Sequence, residues 1–109
     1  MMNVLEPALE SFRACLQSER FYEAHEVLEA LWFPRRFERN AEVLLLKGFI
    51  NAAVSFELHK RHRFERSDQV WRTYQKYAAR LLHVMAHKRP FYERANHVIL
   101  NIKEHYVHI

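Results

Sequence analysis

The chain is expected to be all-α, a compact bundle of about five helices, on three observations. Apolar residues recur at spacings of three and four along most of its length. Half of its 109 residues are hydrophobic, enough to build a core. It holds one Gly and three Pro, little material for the tight turns of antiparallel hairpins, which depend on residues at positive φ. No linker or change of composition divides it, so residues 1–109 read as one helical domain.

Asn3-Val4-Leu5-Glu6 has the form of a capping box, and Pro7 suits a first turn. Leu5, Leu9, Phe12 and Leu16 then carry a first helix to about residue 17. Ser18 is the expected cap of a second helix, residues 21–33, which Pro34 stops. A loop follows, and Asn40 is placed to cap a third helix over about 41–61. That helix is apolar around most of its circumference and therefore belongs at the centre. Its Gly48, Ala52 and Ser55 form a strip of small residues, across which the second helix is expected to pack. Residues 60–66 read as a basic loop. Ser67-Asp68 would start a fourth helix running to about His87, with Val70, Trp71, Tyr74, Ala78, Leu81, Leu82 and Met85 as its apolar stripe. Pro90 opens a fifth, carrying Phe91, Ala95, Val98, Ile99, Ile102 and Tyr106.

Composition narrows the class of protein. Cys15 stands alone and cannot form an intramolecular disulfide, whereas small secreted domains usually carry several. A buried, inert thiol and a cytoplasmic location are expected. The first residues lack a basic leader region, and the longest apolar stretch, 43–56, is interrupted by Lys47 and Asn51. It is too short to span a bilayer, so no membrane partner is expected. The formal charge of +4 is unevenly spread. Residues 1–33 hold six acidic against two basic side chains, and residues 34–109 hold seven against fifteen. Such asymmetry fits either an internal electrostatic match or a basic outer surface.

One stretch stands out: Phe21-Tyr22-Glu23-Ala24-His25-Glu26-Val27-Leu28-Glu29-Ala30-Leu31-Trp32. On a helix, Phe21, Leu28 and Trp32 share a face, His25 lies beside Trp32, and His25 and Glu29 form an i,i+4 pair at its edge. Glu26 falls nearly opposite Leu28. A polar group on a core face needs a partner, and Asn51, Ser55 or His59 of the third helix are the candidates. The plainest reading is a hydrogen-bond network that fixes helix register; the alternatives are a ligand pocket or a metal site. Helical metal bundles repeat a Glu-x-x-His pair on two helices, and no second copy is present.

The same run, followed by Leu46-Lys47-Gly48-Phe49-Ile50-Asn51-Ala52-Ala53, resembles the family catalogued as domain of unknown function 309. The resemblance covers about residues 10–85. It implies a small all-helical bundle and implies no activity. By position, the family's motif residues fall on His25, Glu26, Glu29, Trp32, Gly48 and Asn51. Asn51 stands where Gln is usual, and residues 63–67 replace the common Gly-Asn turn.

Other clusters are weighed against plainer readings. His83 and His87 at i,i+4 would suit a metal, or a cation at a helix C-terminus. Lys60, Arg61, Arg63, Arg66, Arg72, Lys76 and Arg80, with Trp71 and Tyr74 nearby, would suit nucleic acid, or merely a solvated face. The leading functional expectation is a binding or interaction module around His25, Glu26, Glu29 and Trp32, self-associating as a homo-oligomer, with Gly48, Asn51 and His59 in its site. A small hydrolase or metal-assisted enzyme using His25 and Glu29 is the alternative, and a nucleic-acid binder the third. No cofactor is indicated by the residues.

Overall fold

A computed structural model of the chain describes residues 4–105. Among them are five α-helices and no strand: α1 Leu5–Gln17, α2 Phe21–Trp32, α3 Ala41–Lys60, α4 Phe64–Ala78 and α5 Arg89–His105. Two 3-10 turns, Phe33–Arg35 and Ala79–His83, follow α2 and α4. The all-α expectation holds, and α3 is central as expected. It packs against α2, α4 and α5, and its Phe49 stacks on Phe12 of α1 with centroids 6.0 Å apart. Phe12, Phe49, Phe56, Tyr92 and Phe21 are the bulk of the core, each fully buried. Such rings bury large apolar areas and dominate core energetics. Cys15 is buried with them.

The helix boundaries differ from expectation at two corners, for one reason. Ser18 does not cap α2; it ends α1, followed by Glu19 at φ 58°. Glu19 N–H donates to the Leu16 carbonyl at 3.1 Å and Arg20 N–H to the Cys15 carbonyl at 2.8 Å. This reciprocal pair is a Schellman motif, which uses up the last carbonyls of α1 and lets α2 begin at once. His62, at φ 61°, repeats it after α3, donating to the His59 carbonyl while Arg63 donates to that of Leu58, both at 2.9 Å. The second corner starts α4 at Phe64, so the expected loop over 60–66 is shorter than read. Ser67 is not a cap but a buried residue of α4. Its hydroxyl donates to the Ser55 carbonyl at 2.7 Å, while the Ser55 hydroxyl donates to the Ser67 carbonyl at 2.8 Å. Asn40 caps α3 as read, accepting from Val43 N–H. Asn3 and Tyr106 lie outside the described residues.

Helix four also ends earlier than its sequence pattern suggests. After Ala78 the chain tightens into the 3-10 turn and leaves it at Val84, which is extended and buried. Arg89 of α5 donates to the Leu82 and Val84 carbonyls at 3.3 and 3.0 Å, taking up acceptors that a continuing helix would use. With the helical register broken, Leu82 and Met85 are exposed rather than in the stripe. His83 and His87 are no longer an i,i+4 pair on one helix, which removes the geometry of the metal clamp.

The small-residue strip seats α4, not α2. A Cβ on Gly48 would lie 2.9 Å from Tyr77 Cβ and 3.5 Å from the Tyr74 carbonyl oxygen, and Ser55 faces Ser67 of the same helix. Close approach of α3 and α4 is what this glycine permits. Trp71 and Tyr74, expected near a basic strip that would suit nucleic acid, are buried against Phe56 and Phe49. Amphipathic packing wins because their rings supply the inner face of α4.

Candidate functional site

α2 lies over α3 with Phe21, Ala24 and Leu28 inward. The i,i+4 pair forms as its spacing requires: His25 Nε2 is 2.8 Å from Glu29 Oε2. A carboxylate only accepts, so Nε2 carries the proton and donates. His25 Nδ1 is buried and has no hydrogen-bond partner among the described residues. The ring is thus committed on one side and shielded on the other. The Tyr22 ring lies beside it, with centroids 5.5 Å apart.

His25 borders a cleft of about 130 Å³ between α2 and α3. Phe21, Val54 and Leu58 make its apolar part, while Tyr22, His25, Glu57 and Arg61 bring polar groups to it. Arg61 Nε and Glu57 Oε2 are 2.8 Å apart. These residues come from one face of α2 and from the last two turns of α3 with Arg61 just after it, and the two helices meet here through Phe21 and Phe56, centroids 5.5 Å apart. Val54, Leu58 and Glu57 are not singled out by the sequence, and Arg61 is read there only as part of the basic strip. Their spacing of three and four on α3 marks a shared face, but nothing local distinguishes it from the other faces of a uniformly apolar helix.

The remaining expected site residues are not gathered there. Asn51 does not reach α2; its Nδ2 donates to the Lys47 carbonyl of its own helix at 2.8 Å. His59 packs edge-on to Phe64 at the α3–α4 corner, centroids 4.9 Å apart. Burial, aided by the Lys103 and His62 charges, holds its imidazole below the ordinary range despite the opposing pull of Asp68. Gly48 lies beneath Tyr77 on the α4 side. Glu26 is exposed, and half-buried Trp32 sits edge-on to Phe33, centroids 6.5 Å apart. The proposed bridge from His25 to Asn51 or His59 is therefore not made. Among the described residues, no group of three or more His, Cys, Asp or Glu side chains converges to hold a metal ion.

Glu29 is about half exposed, so the pair is a surface interaction and not a buried one. Glu29→Ala should cost less than about 1 kcal/mol. Urea denaturation checks this; a larger loss would mean that the pair anchors α2.

A second polar cluster was not anticipated. Glu42, in the first turn of α3, is buried. Its Oε2 accepts from the Tyr92 hydroxyl at 2.7 Å, and its Oε1 from Lys88 Nζ at 3.1 Å and Arg35 Nη1 at 3.2 Å. Burial alone would raise its pKa, but the bonds from Tyr92 and Lys88, with the Lys88 and Arg35 charges, hold it below the ordinary value. Burial and the Glu42 contact push the Tyr92 phenol well up. Burial also takes Tyr74, which donates to Asn96, up to about 12.

Comparison with known proteins adds the family alone. No curated protein matches the chain, and no solved structure does. The family model described as Domain of unknown function (DUF309) matches residues 9–70, from α1 into α4, and so takes in both α2 and the whole of α3. That match spans more than half of the chain, which therefore belongs to this family of helical domains without an assigned activity.

Proposed function

We propose that the chain is a protein-binding module whose α2–α3 cleft receives one apolar side chain of its partner. The observation that carries this reading is the cleft itself. Its volume of about 130 Å³ is well below the roughly 300–1,000 Å³ of pockets that enclose whole small molecules. A side chain is the group that fits, and the Tyr22 hydroxyl and the Glu57–Arg61 pair in the lining are the polar groups open to a partner's backbone. The state of His25 favours binding over catalysis. A general base needs a nitrogen lone pair within reach of substrate, whereas Nε2 is engaged by Glu29 and Nδ1 is shielded. A cytoplasmic setting suits such a module, with Cys15 kept as a thiol in the core.

Selection of displayed random peptides against the protein tests the proposal. Selected peptides should share one apolar anchor, and Val54→Trp, which fills the cleft, should weaken their binding about tenfold or more. Peptides that bind wild type and Val54→Trp equally would overturn the reading.

A further inference from the structure

The three most exposed large apolar side chains among the described residues all lie in the segments that join α2 to α3 and α4 to α5. They are Phe37 at 83%, Leu82 at 75% and Met85 at 64%. Both segments cover the end of the bundle where α3 begins. Arg35 of the first and Lys88 of the second bind one oxygen, Glu42 Oε1, at 3.2 and 3.1 Å. Arg35 and Asn40 also line one cavity of about 250 Å³ with His83, Met85 and Lys88. Each segment is held from within. Buried Val84 pins the second between Leu82 and Met85. In the first, the Arg36 guanidinium lies 3.7 Å from the Phe33 ring centroid and 4.5 Å from that of Phe37, and it donates to the Phe33 carbonyl at 2.7 Å. The same segments are strongly basic. Residues 33–40 hold Arg35, Arg36 and Arg39 against Glu38, and residues 79–88 hold Arg80 and Lys88 with no acid. Glu38 is taken by Arg35 at 3.3 Å, whereas Arg39 and Arg80 are exposed and have no ion-pair partner among the described residues.

We infer that this end of the bundle docks on the face of an anionic lipid bilayer. Phe37, Leu82 and Met85 enter the boundary between headgroups and acyl chains, and Arg39 and Arg80 meet headgroup phosphates. Apolar side chains set among cations are what such a surface attracts, one through burial and the other through charge. These side chains protrude. A lipid layer takes in protruding groups wherever they fall, whereas a folded protein has to supply a matched socket for each. Nucleic acid would meet the cations but leave aliphatic Leu82 and Met85 without a stacking partner. A second copy would set the same five cations against one another. No helix among the described residues is long and apolar enough to cross a membrane, so the contact stays on the surface. With three apolar anchors it is reversible and salt-sensitive.

Co-sedimentation of the full chain with vesicles is the test. At low salt the chain should pellet with vesicles of equimolar phosphatidylcholine and phosphatidylserine and stay in solution with phosphatidylcholine alone. Phe37→Ser, and Leu82→Ser combined with Met85→Ser, should each lower vesicle binding about tenfold or more through lost apolar burial. Arg39→Glu combined with Arg80→Glu should do the same through charge. Arg63→Glu combined with Arg66→Glu changes the net charge equally at the far end of α3, where α4 begins, and should bind as wild type does. All of these positions are exposed, and circular dichroism melts confirm that the variants fold. Val54→Trp should also bind vesicles as wild type does, so failure of the cleft reading and failure of this one are told apart. A wild type that ignores phosphatidylserine, equal binding to phosphatidylcholine alone, or equal losses in the two charge-reversed variants would each overturn the inference. So would a loss on reversing Arg39 and Arg80 that the serine variants do not share, since that marks a cationic patch open to any polyanion.

Discussion

Glu42→Ala should be the most damaging single substitution of a polar residue in this protein, costing about 3 kcal/mol at neutral pH. The figure sits at the low end for breaking a buried ionic contact because Lys88 and Arg35 are each 31% exposed and can turn to water. The Tyr92 hydroxyl cannot, since Tyr92 is fully buried and loses the acceptor it has among the described residues. Glu42→Gln keeps an acceptor for Tyr92 and should cost less. The pH dependence has a definite sign. The folded pKa of Glu42 lies below its ordinary value of 4.5, so its contribution is complete above that value and is lost as pH falls through the folded pKa. The stability gap between wild type and Glu42→Ala should narrow in that acidic window. Urea denaturation at a series of pH values measures it, and a gap that widens toward acid would show that the carboxylate is not stabilised in the fold.

Gly48→Leu should be comparably severe, at about 3 kcal/mol, the upper part of the range for overpacking. Removing Gly from a helix interior gains up to about 1 kcal/mol in propensity. The gain is overwhelmed because the new Cβ would meet Tyr77 Cβ at 2.9 Å, an atom fixed to the α4 backbone and unable to swing away. α4 has to move, and with it the Ser55–Ser67 exchange and the Tyr74 ring. Thermal melts of Gly48→Leu and Gly48→Ala form a graded pair, with Leu lower than Ala and Ala lower than wild type. A melting temperature unchanged in Gly48→Leu would mean that α4 does not rest on this residue.

What the sequence conveyed, and what it withheld, divides by distance along the chain. The helices, the Asn40 cap and the His25–Glu29 contact depend on residues within four of one another, and periodicity reports these directly. The corners at Glu19 and His62 escaped because positive φ is ordinarily signalled by Gly or Asn, and here Glu and His adopt it under the hydrogen bonds of the motif. The strip on α3 was recognised but assigned to the wrong neighbour. A row of small residues says that something comes close, not which helix does. Asn51 and His59 share a helix with the cleft but lie on other parts of its surface, and an apolar helix gives no local sign of which face meets α2. Glu42 was invisible for a stronger reason. Its partners Lys88 and Tyr92 stand 46 and 50 residues away, and an acid in a first turn ordinarily needs no explanation beyond the helix dipole.

That long reach has a consequence for how the protein comes apart in time. α3 and α4 adjoin through a corner of three residues, as do α1 and α2, so their contacts close short loops and suit an early nucleus. The Glu42 cluster closes only after α5 has returned to the start of α3. Interactions absent from the transition state act on unfolding and leave folding almost unchanged. The carboxylate is therefore expected to act as a latch on the exit, set after the rate-limiting step. Stopped-flow kinetics of Glu42→Ala should show the whole loss of stability on the unfolding limb, whereas Gly48→Leu, at the seam of the nucleus, slows folding.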